Sequence, residues 1–241
     1  MHMSKLNVFM IDIVHKSMDT PLHLASKKGH IDAMQLLIEH GADVNKKDKY
    51  GWTPLHDASE MGHVNAMQLL IDAGADVNAS NNNRWTPLHD ASHKGHIDMI
   101  KLLIDANADV NVKNKQGWTP LHEASWKNHT VAVQLLIEAG ADVNMKNDVG
   151  NDPLHEASCN GHIDVIKLLI DAGAKVDAKN DHRWVPLHYA SYNGHIHAIQ
   201  LLIDAGADIN VKSDGGCTPL HWAYRNDHND AAQLLEKYDA Q

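Results

Sequence analysis

All seven prolines of this 241-residue chain fall on one period: Pro21, Pro54, Pro87, Pro120, Pro153, Pro186 and Pro219 stand 33 residues apart without exception. A fixed period of about 20–50 residues is the signature of like units stacked in a line, so the chain is read as seven repeats. Each proline is followed by Leu-His, which gives His23, His56, His89, His122, His155, His188 and His221. A second histidine series, from His30 to His228, follows seven residues after the first. Five of these follow Gly, while His129 follows Asn and His228 follows Asp.

The second copy, residues 48–80, shows what one unit encodes. Thr53 is an N-cap and Pro54 a first helical residue whose missing N–H costs nothing, so a short first helix opens there. Gly62 breaks it. A second helix from about Val64 places Met67, Leu70 and Ile71 on one stripe by three- and four-residue spacing, and Gly74 supplies the left-handed residue that ends it. Helices under about 12 residues are marginal alone in water, so each pair must bury its face on the next.

TPLH, the Gly-His pair and GADVN at a period of 33 resemble the ankyrin repeat, over about residues 14–241. The resemblance implies an all-α solenoid of stacked helix–turn–helix pairs, with projecting turn fingers that line a concave groove, and a non-catalytic role in holding partner proteins through fingers and first helices. It also implies that both histidine series are structural, one steadying its own turn and the other its neighbouring loop, each fixed by its own repeat. The expected organisation is one domain of seven repeats, at about 14–46, 48–80, 81–113, 114–146, 147–179, 180–212 and 213–241. Leu6, Val8, Phe9, Met10, Ile11 and Ile13 lie in a shorter segment, residues 1–13, expected to cap the first pair, with residues 1–2 read as a cloning scar. In the last copy Glu236 and Asn229 replace the apolar Ile71 and Val64 of the second, as a polar end cap requires.

Charge and composition narrow the partners. Acidic residues outnumber basic ones by 31 to 21, a formal charge of −10, which disfavours nucleic acid and suits a protein partner with a Lys- or Arg-rich segment. No apolar run approaches the roughly 20 residues of a membrane span, and Asp12 interrupts the only apolar stretch near the start. Two cysteines without a pairing framework, Cys159 and Cys217, are the usage of a reducing compartment. The reading is therefore an intracellular protein, cytoplasmic or a host-directed effector, monomeric alone, without membrane or cofactor.

Fourteen of the twenty histidines belong to the two series, and equivalent atoms of stacked helices lie roughly 10 Å apart, too far to share a metal ion. No metal site and no catalytic residue is expected. The candidate partner-binding residues are those that vary at the positions the family uses. Trp52, Trp85, Trp118 and Trp184 occupy one position, at the base of the finger, and aromatics of this size are enriched at binding hot spots. Trp126, Tyr189, Tyr192 and Trp222 extend the same surface. The plainer alternative is that each tryptophan only stiffens the next finger.

The residue after the TPLH histidine is acidic in four consecutive copies: Asp57, Asp90, Glu123 and Glu156. These form either helix-dipole partners or a row about 30 Å long that draws a basic segment. Arg84-Trp85 and Arg183-Trp184 replace Gly at the finger turn, by a different turn type or to reach a ligand. Val185 stands where most copies have the capping threonine, which should leave one N–H orphaned. A small-molecule or sugar binder using the Trp row, and an engineered consensus scaffold, are the alternative functions.

Overall fold

The computed structural model describes residues 18–238 and residue 240; the expected N-terminal cap and the scar fall outside these. Among them the chain forms fourteen short helices in pairs and no strand. The first helices of the seven repeats are α1 Pro21–Lys28, α3 Pro54–Met61, α5 Pro87–Lys94, α7 Pro120–Trp126, α9 Pro153–Asn160, α11 Pro186–Tyr192 and α13 Pro219–Arg225. The second helices are α2 Ile31–Glu39, α4 Val64–Asp72, α6 Ile97–Asp105, α8 Thr130–Glu138, α10 Ile163–Asp171, α12 Ile196–Asp204 and α14 Asn229–Lys237.

The chain divides into two compact units, Met1–Lys115 and Gln116–Gln241. In the first, α1, α3 and α5 pack in sequence, as do α2, α4 and α6. In the second, α7, α9, α11 and α13 form one layer and α8, α10, α12 and α14 the other. Close approach of the first helices within each unit rests on a small residue, since Ala58 and Ala91 in the first and Ala124, Ala157, Ala190 and Ala223 in the second are each wholly buried. The second helices bury Ala66, Met67 and Leu70 in repeat two and their counterparts elsewhere, and full burial of one such leucine is worth about 1.5–3 kcal/mol. Ile71, expected on that stripe, is only half-buried, because the 100° step places Ala66 nearer its centre.

The histidines do more than their own repeat requires. In repeat two the Thr53 backbone N–H donates to His56 Nδ1 at 3.2 Å and Thr53 Oγ1 lies 2.8 Å from it, while His56 Nε2 lies 3.1 Å from the Trp85 carbonyl of repeat three. A carbonyl only accepts, so Nε2 carries the proton and Nδ1 is bare. The ring is neutral, and burial depresses its pKa to about 4. The same bond to the next finger is made by His23, His122, His155 and His188. The Gly-His histidines reach the other way, His63 to the Lys27 carbonyl and His195 to that of Cys159. Thus both series join repeats rather than being fixed each by its own. The glycine of the pair has two causes: Gly161 has φ +69°, and a Cβ there would meet the His195 ring of the next repeat at 2.8 Å.

Val185 does not leave an orphan. The His188 N–H reaches the Val185 carbonyl at 2.9 Å, and the Val185 N–H donates to His188 Nδ1 at 3.1 Å. What valine lacks is the threonine hydroxyl on Nδ1, a neutral bond worth about 1 kcal/mol. Its side chain is fully buried instead.

Candidate functional site

The finger turns are set by one side chain per repeat. Asp48 Oδ1 accepts from the N–H groups of Tyr50 and Trp52, and Asn81 and Asn180 do the same for their own fingers. Successive fingers are then linked by a main-chain bond, such as Asn82 N–H to the Tyr50 carbonyl at 2.9 Å or Asp214 N–H to that of His182 at 3.2 Å. Arg84 and Arg183 hold φ +59° and +56° where Gly51, Gly117, Gly150 and Gly216 also have positive φ. The turn type is therefore unchanged, and arginine is held in a region that costs a non-glycine residue about 1 kcal/mol or more. Both arginines are exposed, and Arg183 Nε lies 4.0 Å from Asp214 Oδ1.

This turn delivers the tryptophans to the finger base. Trp52, Trp85, Trp118 and Trp184 are all half-buried, each with one face packed on its own repeat's TPLH histidine at centroid distances of 5.5–5.8 Å. Trp85 also meets His93 edge-on, and Trp118 meets Trp126. Trp126 is 38% exposed, with Lys127 Nζ 3.9 Å above its ring. One side of each finger-base ring thus packs within its own repeat, rather than on the next finger as the plainer alternative had it, and part of its surface stays open.

A further aromatic grouping lies in the second unit. Trp184 packs against Tyr189 at 4.9 Å, Tyr192 at 5.8 Å and Trp222 at 4.8 Å, with Arg225 5.2 Å over Trp222. Beside it opens a half-open cleft of about 560 Å³, lined by Cys159, Asn180, His182, Trp184, Tyr189, Tyr192 and Asn193. Tyr192 is 41% exposed.

The four carboxylates are not the exposed row that the sequence allowed. Asp57, Asp90, Glu123 and Glu156 are only 6%, 5%, 4% and 8% exposed. In repeat five the first turn of the first helix faces its own finger: Glu156 Oε1 accepts from Asn147 Nδ2 at 3.3 Å and Asn151 Nδ2 at 3.1 Å. Asp57 has Lys27 Nζ at 4.0 Å. Burial pushes the Asp57 and Glu123 carboxyls up to about 7 and raises that of Glu156. Near neutral pH they are not four full charges, so attraction by an exposed, salt-screened row is withdrawn.

Sequence reasoning missed the asparagines. Asn151 Oδ1 accepts from Asn180 Nδ2 at 2.8 Å and from the Tyr189 hydroxyl at 3.3 Å, which ties the aromatic group to Glu156. For Asn180 and Asn147 the signal was available, since Asp48, Asn81, Asn114, Asn147, Asn180 and Ser213 repeat every 33 residues, whereas Asn151 stands at the position of Trp118 and Trp184 and had no such series. Among the described residues no three His, Cys, Asp or Glu side chains gather as a metal site would need, and no helix is long and apolar enough to cross a membrane.

Comparison with known proteins agrees with this architecture. The family model described as ankyrin repeats in three copies matches residues 4–81, 78–147, 113–180, 132–213 and 154–241. Among curated proteins, the chain is 41% identical over 46 residues to alpha-latrotoxin-Lt1a of Latrodectus tredecimguttatus, covering 19% of this chain and 3% of the toxin. It is 50% identical over 34 residues to ankyrin repeat domain-containing protein 13B of Mus musculus, covering 14% and 5%. It is 37% identical over 43 residues to protein phosphatase 1 regulatory subunit 27 of Mus musculus, covering 18% and 28%. The matched stretches span less than a third of each of these relatives.

Proposed function

The chain belongs to the ankyrin-repeat family, whose repeats are in general protein-interaction modules, and on that premise we propose that it is a non-catalytic scaffold holding a partner protein against its finger-base aromatic faces. The observation that carries this is a division of labour. The histidines are spent on joining repeats, the carboxylates are buried, and the side chains left with open surface at the finger bases are tryptophan and tyrosine. Large aromatics held on a rigid frame bind with little loss of side-chain freedom. A Lys- or Arg-rich segment is the complement by charge, since residues 116–241 hold 17 of the acidic and 9 of the basic residues and so −8 of the −10.

A small ligand is the second reading. The 560 Å³ cleft has the volume, within the roughly 300–1,000 Å³ of ligand pockets, but it is half-open and would leave such a molecule partly in water. It suits a side chain delivered by a larger partner.

The test uses capture of a partner from the source organism's lysate, then affinity for the captured protein. Trp85 and Trp118 are poor variants because their truncation also removes packing on His89 and His122. Trp126→Ala with Tyr192→Ala removes two exposed rings and is expected to weaken binding by about 2 kcal/mol or more, the hot-spot scale. Both rings also pack on neighbours, Trp126 on Trp118 and Tyr192 on Trp184 and Trp222, so the unfolding of the double variant is measured beside its affinity. Unchanged affinity in the double variant would move the binding face elsewhere.

A further inference from the structure

We propose that residues 6–13 of this chain cover the outward face of the first repeat, with Leu6, Phe9, Met10 and Ile13 seated on Pro21, Ala33, Leu36 and Leu37. Closure of this end is independent of what the finger bases hold.

Comparing the two ends identifies the face. Among the described residues repeat seven packs only on its preceding side, α13 on α11 and α14 on α12, whereas repeat one packs only on its following side, α1 on α3 and α2 on α4. Yet Pro219, Ala231 and Leu235 of repeat seven are buried, as are their counterparts Pro54, Ala66 and Leu70 in repeat two. These three positions are therefore the ones that a preceding unit covers. In repeat one they lie open: Pro21 and Ala33 are exposed and Leu37 is only half-buried. Leu36 is 57% exposed, whereas Leu69 and Leu234 at the same position are half-buried. A half-open cleft of about 460 Å³ lies on this face, lined among others by Pro21, Leu22, Leu37 and Ala42. Repeat one thus keeps the apolar residues of an interior copy, Leu36-Leu37 where repeat two has Leu69-Leu70, on a surface that water reaches. A unit of a linear array cannot bury such a face alone, and a grouped apolar surface of this kind marks a contact to be made.

Three features select this chain's own segment as the cover. Leu6, Phe9, Met10 and Ile13 recur at three- and four-residue spacing, as Met67, Leu70 and Ile71 do on a second helix, so the segment has an apolar stripe to offer. The match to the ankyrin-repeat family begins at residue 4, which places residues 6–13 within the matched sequence. The link is also short and long enough. Ile13 stands seven residues before Thr20, and seven extended residues reach roughly 24 Å. Packed helices are separated by only about 10 Å, so the segment can lie across the face. So short a link holds its segment at an effective concentration on the order of millimolar, which a separate chain at micromolar concentration does not match.

The test follows methyl and amide signals of the full chain by NMR. Expected are methyl NOEs from Met10 or Ile13 to Leu36 or Leu37 that persist on dilution, and none between chains in a mixture of two differently labelled samples. Phe9→Asp with Ile13→Asp should remove these NOEs and quicken amide exchange in α1 and α2 about ten-fold or more, while α13 and α14 exchange as before. Absence of any NOE from residues 6–13 to this face, or equal exchange in both forms, would overturn the proposal. So would NOEs found only between chains, which would give the face to a second copy. Should the double variant fail to fold, the NOEs of the unaltered chain decide alone.

Discussion

Replacing His56 by alanine is expected to destabilise the protein by about 3 to 5 kcal/mol, the range for emptying a fully buried site of this size. The ring is wholly buried, and its loss strands the Thr53 N–H and the Thr53 hydroxyl at once and leaves the Trp85 carbonyl only its bond from the Asn81 N–H. Each stranded buried group costs about 1–3 kcal/mol, partly overlapping with the cavity. His221→Ala is the internal control, because that residue keeps its bonds to Thr218 but is exposed, and it should cost far less. Denaturant unfolding of both variants measures the difference. The loss at His56 should also change the acid response. Its folded pKa of about 4 lies below the unfolded 6.5, so the unfolded chain binds the proton first. The stability tied to this neutral ring is therefore complete above pH 6.5 and falls by about 3 kcal/mol as pH drops from 6.5 to 4. The alanine variant lacks that decline.

The second large effect has the opposite sign in pH. Glu123 is buried, and desolvation raises its pKa from 4.5 to about 7, against the lowering influence of Lys127. Between those values the folded protein keeps a proton that the unfolded chain has released. Stability from this group is thus greatest below pH 4.5, declines as pH rises, and is lowest above about 7. Glu123→Gln does not titrate. Relative to wild type it is expected to gain about 3 kcal/mol between pH 4.5 and pH 8, read from urea unfolding at the two pH values. A pH-independent difference between the two forms would show that folding does not shift the Glu123 pKa.

These two effects mark where the sequence was informative and where it was not. The caps, the helix pairs and the left-handed glycines were legible because they depend on residues within one repeat, such as Thr53, Pro54 and Gly62. The reach of His56 to Trp85 was not, since a bond across 29 residues is invisible to a reading made one unit at a time. Arg84 and Arg183 looked like altered turns because glycine is missing, yet the Asn81 and Asn180 bonds impose the same turn on arginine. The acidic series was left open between helix-dipole partners and an exposed row, and its burial goes against the row. Its position in the first turn was readable from the period, but the side-chain amides that enclose Glu156 come from the finger. The aromatic residues were singled out by type and spacing, whereas the cleft they form with Cys159, His182 and the asparagines exists only once repeats five and six are packed together.

Hydroxyl-radical footprinting of the protein with and without its captured partner tests the recognition surface most directly, because tryptophan and tyrosine oxidise readily where water reaches them. Trp184, Tyr189, Tyr192 and Trp126 at the finger bases and first helices are expected to lose reactivity on binding. Val131 and Ile196 on the second helices, 58% and 38% exposed, should react as before. Protection of the second helices with the finger-base rings still open to oxidation would contradict the assignment of the binding face.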